Sequence, residues 1–243
     1  MIMRIVTWKC NMALHRKLEA LLSLDPDIAI LQECADWATL SAKSPQIPCT
    51  DHDWIGYNHN KGLMVLSFGD FKMRRHSQYS SNFQLFLPVE FYQPFHLGLL
   101  AVWAFNDRVA APNANASGFP RAALRWYREF LHSTACIVAG DFNNSVVWDT
   151  FGKESNFASI VEDIAQVGLV SAYHAERGFE FGQEPEPTLF WRKSLTEVYH
   201  IDYCFVPEQW MPKVRSVSVG DPEFWLNYSD HVPLCVDLDL ANQ

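Results

Sequence analysis

Five short polar stretches stand at the ends of apolar runs, and each carries side chains able to hold a cation, move a proton or bind an anion. Ala139-Gly140-Asp141-Phe142-Asn143 follows the run Ala135-Cys136-Ile137-Val138. Gln32-Glu33 ends the run 28–31, and Trp8-Lys9-Cys10-Asn11 ends the run 4–7. His200-Ile201-Asp202-Tyr203 opens the run 204–206, and Ser229-Asp230-His231 precedes Val232-Pro233-Leu234. A buried strand ending in Gly-Asp-x-Asn turns at Gly140 and sends Asp141 and Asn143, two residues apart, to the same side. Open α/β sheets place their sites at such an edge. A lone Gly-Asp-x-Asn is more often a plain turn, because Asp and Asn bond their own backbone. Polar groups recurring at strand ends on five separate segments need another explanation.

In this order, and over nearly the whole chain, the stretches resemble the motifs of the endonuclease/exonuclease/phosphatase superfamily of metal-dependent phosphoesterases. The oxygen donors Glu33, Asn11, Asp230 and Asp141 form the candidate ligand set for a hard cation, and the resemblance implies that Glu33 is the principal ligand among them. It implies that Asp141 orients or deprotonates an attacking water and that Asn143 holds a phosphate oxygen or the scissile group. Asp202 and His231 would form a pair, in which the carboxylate favours an imidazolium able to stabilise a pentavalent transition state. Hydrolysis of a phosphodiester needs an activated water, neutralised non-bridging oxygens and help for the leaving alkoxide. A hard divalent cation supplies the last two, and a carboxylate-rich ligand set suits Mg²⁺ or Mn²⁺ better than zinc.

Two positions depart from the family pattern. Trp8-Lys9 stands where the first motif usually reads Trp-Asn, so an ammonium replaces an amide. Pointing inward, Lys9 would pair with Glu33 or Asp230 and compete with the cation; pointing outward, it would leave Asn11 to serve; a third role is direct contact with substrate phosphate. In the stretch 99–104 the register puts Trp103 where relatives place a histidine or tyrosine on the phosphate, and an indole donates one hydrogen bond but carries no charge. Phosphate binding would then pass to His200, Arg192 or Lys193.

Charge narrows the substrate. The 243 residues carry a formal net charge of -9, which repels a polyanion and shows no extended basic footprint for duplex DNA. The densest positive cluster, Lys72, Arg74, Arg75 and His76, reads either as a local basic rim or as a solvated strand edge. The expected substrate is a phosphodiester, either single-stranded nucleic acid or a small phosphorylated metabolite. The alternative, motivated by Lys9 and Trp103, is a catalytically weakened family member that acts as a binding protein. Six cysteines without a CxxC pair read as buried thiols, and no apolar run approaches the length of a membrane span. These features predict a cytoplasmic monomer with no membrane partner.

The elements that must position these groups follow from periodicity. Residues 3–7 read as a strand, 14–24 as an amphipathic helix with Leu14, Leu18, Leu21 and Leu22 on one face, and 28–31 as a short buried strand. That strand-helix-strand unit brings Asn11 and Glu33 to one edge. Residues 34–48 read as loop. A meander of strands is expected over 53–57, 62–68, 72–78, 83–91 and 96–105, then a polar loop over 106–118, as flap or connector. Helices are expected over 121–132 and 157–167, with Gly168 as a C-cap. Residues 178–187 read as an exposed acidic turn, 188–191 and 201–206 as paired strands, and 233–240 as the last strand. With the resemblance, the expectation is one domain over 1–243, a four-layered, DNase I-like α/β sandwich of two mixed, mainly antiparallel sheets flanked by helices.

Overall fold

The protein is described by a computed structural model over residues 1–105, 120–133, 135–153 and 156–240. In chain order its elements are β1 (Ile2–Lys9), α1 (Leu18–Leu22), β2 (Ile28–Cys34), α2 (Trp37–Lys43), β3 (Asp51–Asn58), β4 (Lys61–Ser67), β5 (Lys72–Arg75), β6 (Phe86–Gln93) and β7 (Leu97–Trp103). There follow α3 (Pro120–Trp126), α4 (Arg128–Ser133), β8 (Cys136–Asp141), α5 (Phe157–Ala165), β9 (Leu169–Ser171), α6 (Ala172–Arg177), β10 (Leu189–Phe190), β11 (Val198–Tyr199), β12 (Asp202–Pro207), β13 (Val214–Val219), α7 (Pro222–Trp225) and β14 (Leu234–Asp239).

Two six-stranded sheets carry the architecture, in the orders β13-β14-β1-β2-β4-β3 and β5-β6-β7-β8-β12-β9. Each holds one parallel pair, β1 with β2 and β7 with β8, among antiparallel neighbours. The alternation of side chains along a strand builds the layers. Met3 and Ile5 of β1, Ile28 and Ile30 of β2, Leu99 and Ala101 of β7 and Ile137 and Ala139 of β8 share one buried cluster between the sheets. Val6 and Trp8 turn the other way, onto Leu14, Leu21 and Trp225. Leu100, Val102 and Val138 face the opposite exterior, under Leu124, Phe130, Phe157 and Ile160. The result is helix, sheet, sheet, helix, the four-layered sandwich of the sequence reading.

Several local expectations change. The helix over 14–24 is a short 3-10 turn at Leu14–Arg16 followed by α1, and Ala13 before it holds a left-handed φ of 48°. The stretch 34–48 contains α2, started by Asp36, whose carboxylate accepts the Thr39 N–H at 2.7 Å. The helix over 121–132 divides at Tyr127 into α3 and α4. Residues 188–191 do not pair with 201–206: β10 pairs with β11, while β12 lies between β8 and β9. The acidic turn 178–187 is partly internal, because Glu184 accepts from Gly182 N at 3.0 Å and meets His174 Nε2 at 2.9 Å. The loop 106–118 lies outside the described residues.

Candidate active site

The same alternation that packs the middle of the sandwich delivers polar groups to its edge. Continuing past Met3 and Ile5, the inward positions of β1 are Thr7 and Lys9. In β8 they end at Asp141, in β7 at Trp103, and in β12 they begin at Asp202, two residues before Cys204. Registers then align the groups: Trp103 lies opposite Asp141 across β7 and β8, and Asp202 opposite Asp141 across β12 and β8. Glu33 has the outward parity on β2, yet a bulge between Gln32 and Cys34, with Glu33 at φ 57°, breaks the pleat and re-aims its side chain.

Asp141, Asp202 and His231 are fully buried, and their ligand-type atoms lie within 4.8 Å of one another. His231 Nδ1 meets Asp202 Oδ2 at 2.8 Å; an ionised carboxylate only accepts, so Nδ1 carries the proton and Nε2 is left toward the cluster. Asp202 Oδ1 is buried without a partner among the described residues. Asn143, at a left-handed φ of 46°, folds back on Asp141: its N–H donates to Oδ1 at 2.8 Å and its Nδ2 to Oδ2 at 3.0 Å and to Ala104 O at 2.7 Å. Burial pushes the Asp141 carboxyl up, Lys9 opposes that, and Asp202 adds to it, so Asp141 remains raised above the usual carboxylate range. That direction suits a proton acceptor, whose efficiency grows as its pKa nears the working pH.

The sequence left the direction of Lys9 open; it points inward. Its Nζ lies 3.2 Å from Asp141 Oδ2 and 3.7 Å from Glu33 Oε1, with the side chain 14% exposed. Burial alone would lower the ammonium's pKa, but Asp141, Glu33 and Asp202 together raise it above the ordinary lysine value. A second ammonium, which sequence reasoning missed, joins it: Lys61 Nζ lies 3.1 Å from Glu33 Oε1 and 5.5 Å from the centroid of the Trp103 ring. Trp103 itself is buried, and its Nε1 finds no hydrogen-bond partner among the described residues. Its ring face supports Lys61.

The remaining expected residues fall on the rim or in the core. Asn11 is exposed at φ 52°, and its segment is tied to Glu33 by Met12 N donating to Glu33 O at 2.9 Å. Lys17, also missed, pins this segment to the far loop: its Nζ donates to Cys10 O at 2.5 Å, Asn11 O at 3.2 Å and Tyr228 O at 2.6 Å. Beyond Tyr228, the Ser229 hydroxyl donates to Lys9 O at 2.7 Å and accepts from His231 N at 3.1 Å, and it lies 3.4 Å from Asp230 Oδ1. Trp8 Nε1 holds His231 O at 3.0 Å, and Thr188 Oγ1 accepts from both Ile201 N and Asp202 N at 3.1 Å. His200 is not at the cleft surface: it is buried among Tyr173, Tyr203 and His174, with Nδ1 at 2.8 Å from Glu186 O. Arg192 and Lys193 are exposed on the turn between β10 and β11, whose Phe190 N–H bonds Asp230 O at 2.8 Å.

These donors can be tested against the divalent cation that the sequence resemblance implies. At the Glu33 end, one carboxylate oxygen, Oε1, is already shared by two ammonium groups. An added dication would lie a few ångströms from both, a repulsion of roughly a few kcal/mol per charge pair at an effective dielectric of about 20. At the other end, the Lys9 ammonium also faces the acid cluster, 3.2 Å from Asp141 Oδ2, so the same positive charge opposes a cation there. With both lysines in place, the residues present do not fit the ion.

A pair of stacked mixed sheets with an acid and imidazole cluster where their strands end defines a class, the phosphoester hydrolases of DNase I-like architecture. The chain belongs to the Endonuclease/Exonuclease/phosphatase family, whose model matches residues 6–231. Its fold is similar to that of the AP endonuclease LMAP from Leishmania major, at 14% identity and a TM-score of 0.73, covering 98% of this chain and 87% of that one. It is also similar to the 3'-5' exonuclease NExo from Neisseria meningitidis, at 18% identity and a TM-score of 0.71, covering 98% and 100% of the two chains. A 3' phosphatase NExo from Neisseria bound to product DNA hairpin matches at 18% identity and a TM-score of 0.66, over 98% and 99%. No curated protein sequence matches the chain.

Proposed function

We propose that the chain is one hydrolytic domain that cleaves a phosphodiester by in-line attack of water. Asp141 takes a proton from the water while Asn143, whose backbone N–H and both Nδ2 hydrogens are already engaged, steadies the Asp141 carboxylate; a hold on the incoming phosphate, the role the resemblance gave it, would need its side chain to give up one of those bonds. His231, oriented by Asp202, stabilises the charge that develops on the non-bridging oxygens. One water is consumed: its oxygen bonds to phosphorus, the bond from phosphorus to the leaving oxygen breaks, and the proton passes to that oxygen. The observation that carries the reading is the convergence of Asp141, Asp202 and His231 within 4.8 Å where β8 ends and β12 begins.

Magnesium or manganese on Glu33, Asn11 and Asp230 is the cofactor the family resemblance carries, and when bound it would act as a Lewis acid on the phosphate. Because Lys9 and Lys61 hold Glu33, every step assigned to the chain uses its own groups. A single-stranded nucleic acid or a small phosphorylated metabolite suits the net charge of -9 better than duplex DNA. The DNA hairpin named for the Neisseria phosphatase supports the nucleic-acid arm. No helix among the described residues is long and apolar enough to cross a membrane, and the six cysteines are free, which supports a reducing cytoplasm as the place of work.

The test uses bis(p-nitrophenyl) phosphate and a short single-stranded oligonucleotide with the wild type, Asp141→Ala and His231→Ala. Each substitution is expected to lower turnover by roughly a hundredfold or more, with an unchanged circular dichroism spectrum. Full activity in a folded variant would remove that residue from the mechanism. Tight, stoichiometric retention of the oligonucleotide with no turnover would favour the binding-protein alternative.

A further inference from the structure

We infer that the ammonium groups of Lys9 and Lys61 form the resident electrophile of this cleft, standing in for a divalent cation at Glu33, and that their ligand is the non-bridging oxygen of a phosphoester. The electrophilic part of this assignment rests on the hydrolytic reading above; the exclusion of a metal ion does not.

Three observations meet at Glu33. Its Oε1 faces Lys61 Nζ at 3.1 Å and Lys9 Nζ at 3.7 Å, so one carboxylate oxygen serves two cations. Lys9 bridges onward to Asp141 Oδ2 at 3.2 Å, which places its charge between the two carboxylates of the cleft. The Trp103 ring lies 5.5 Å from Lys61 Nζ, so the two departures from the motif pattern belong to one arrangement. The aromatic face that cannot bind phosphate holds an ammonium that can. Strand parity fixes the geometry. Lys9 follows Met3, Ile5 and Thr7 on the inward face of β1, and Lys61 precedes Leu63 and Val65 on that of β4. The two charges therefore approach Glu33 from different strands of one sheet, with the Lys61 side chain 36% exposed at the mouth and Lys9 beneath it.

Such a pair supplies the electrostatic part of what a metal supplies. Two fixed positive charges near the site of attack lower the energy of the charge-rich transition state without having to be recruited from solution. They leave Asp141 as the only group required to move a proton.

Calorimetric titration of Mn²⁺ into the full chain tests the exclusion directly, on the wild type, Lys9→Asn, Lys61→Gln and the double variant Lys9→Asn with Glu33→Ala. No saturable binding is expected in the wild type. Lys9→Asn is expected to gain saturable Mn²⁺ binding, and that binding is expected to disappear in the double variant. Lys61→Gln alters a partly exposed side chain and keeps the test decisive if Lys9→Asn fails to fold; it is expected to bind Mn²⁺ more tightly than the wild type. Saturable Mn²⁺ binding by the wild type would overturn the inference, as would the absence of binding in every folded lysine variant. In parallel, hydrolysis of bis(p-nitrophenyl) phosphate by the wild type is expected to be unaffected by EDTA, and a rate lost in EDTA and restored by Mn²⁺ would likewise overturn it. The expected Mn²⁺ pattern together with no turnover of any phosphoester would support the exclusion of metal while removing the hydrolytic reading, so the two fail separately.

Discussion

Arg4 and Asp237 face each other across β1 and β14, and their forked contact shows how charge is used away from the cleft. Arg4 Nε donates to Asp237 Oδ1 at 2.7 Å and Nη2 to Oδ2 at 2.9 Å, while the Ser216 hydroxyl adds a bond to Oδ2 at 2.8 Å. The bond from Arg4, more than any other cause, holds the Asp237 carboxyl below the usual carboxylate range. A depressed carboxyl stabilises the fold above its unfolded pKa of about 3.9, and that stability is lost as pH falls through the folded value. Asp237→Asn should therefore cost about 1 kcal/mol at pH 7, discounted for the partial exposure of Arg4. The difference from wild type should shrink steadily below pH 4, which urea unfolding at a series of pH values would measure. A constant difference down to pH 2 would mean that packing, and not the ionised pair, sets the cost. Lys9 differs: Arg4 pairs with one carboxylate at a strand crossing, whereas Lys9 is divided between Glu33 and Asp141.

At the scale of elements, the cleft depends on how closely β7 and β8 approach. Gly140 lies opposite Val102 in their parallel pair at a φ of 149°, and a Cβ there would stand 1.9 Å from the Val102 carbonyl oxygen. Gly140→Ala must part the strands that carry Trp103 and Asp141, so it should destabilise the fold by about 3 kcal/mol or more. Chemical denaturation reads this directly, and a loss below about 1 kcal/mol would mean that the strands part more easily than their register suggests. The sequence reading put a turn at Gly140, but β8 runs through it to Asp141 and the glycine is there for the close approach to Val102. The strand identities of β1, β2 and β8 were readable from their apolar runs, whereas the pairing of Asp202 with His231 came only from the family resemblance. What was hidden depends on non-local geometry. The turn of Glu33 comes from a bulge that no alternation rule reveals, since its parity on β2 is outward. Lys61 could not be connected to Glu33 without the β2–β4 register, which pairs Cys34 with Gly62. Glu184, in a stretch rich in acid and glycine, reads as solvent-facing until His174 is seen beneath it. Short elements such as α2 and β9 escaped because seven and three residues hold too little periodicity to register.

For the whole molecule, the question is how much of its charge a polyanion would meet. The cluster on β5, which in sequence looked like a basic rim, is an edge strand whose arginines are already engaged: Arg74 with Glu90 at 2.9 Å and Arg75 with Asp53 at 2.5 Å. Cations neutralised in this way release few counterions from a nucleic acid. Among the described residues, Arg192 and Lys193 are exposed on the turn after β10, whose neighbour Phe190 bonds Asp230, while Lys9 and Lys61 in the cleft share the charge of Glu33. In the hydrolytic reading proposed above, the two cleft lysines would meet the scissile phosphate and Arg192 and Lys193 a flanking one. Two or three neutralised phosphates on a single strand correspond to a slope of about -1.4 to -2 in log K against log salt. Fluorescence anisotropy of a labelled twelve-nucleotide strand and its duplex, from low to moderate salt, would measure it. The single strand should bind more tightly than the duplex, because a net charge of -9 penalises the denser polyanion. Arg192→Gln with Lys193→Gln should flatten the slope by about one unit while leaving the turnover of bis(p-nitrophenyl) phosphate unchanged. A slope steeper than about -5 would require an extended contact surface that the pairing of Arg74 and Arg75 argues against, and would shift the expected substrate toward a duplex.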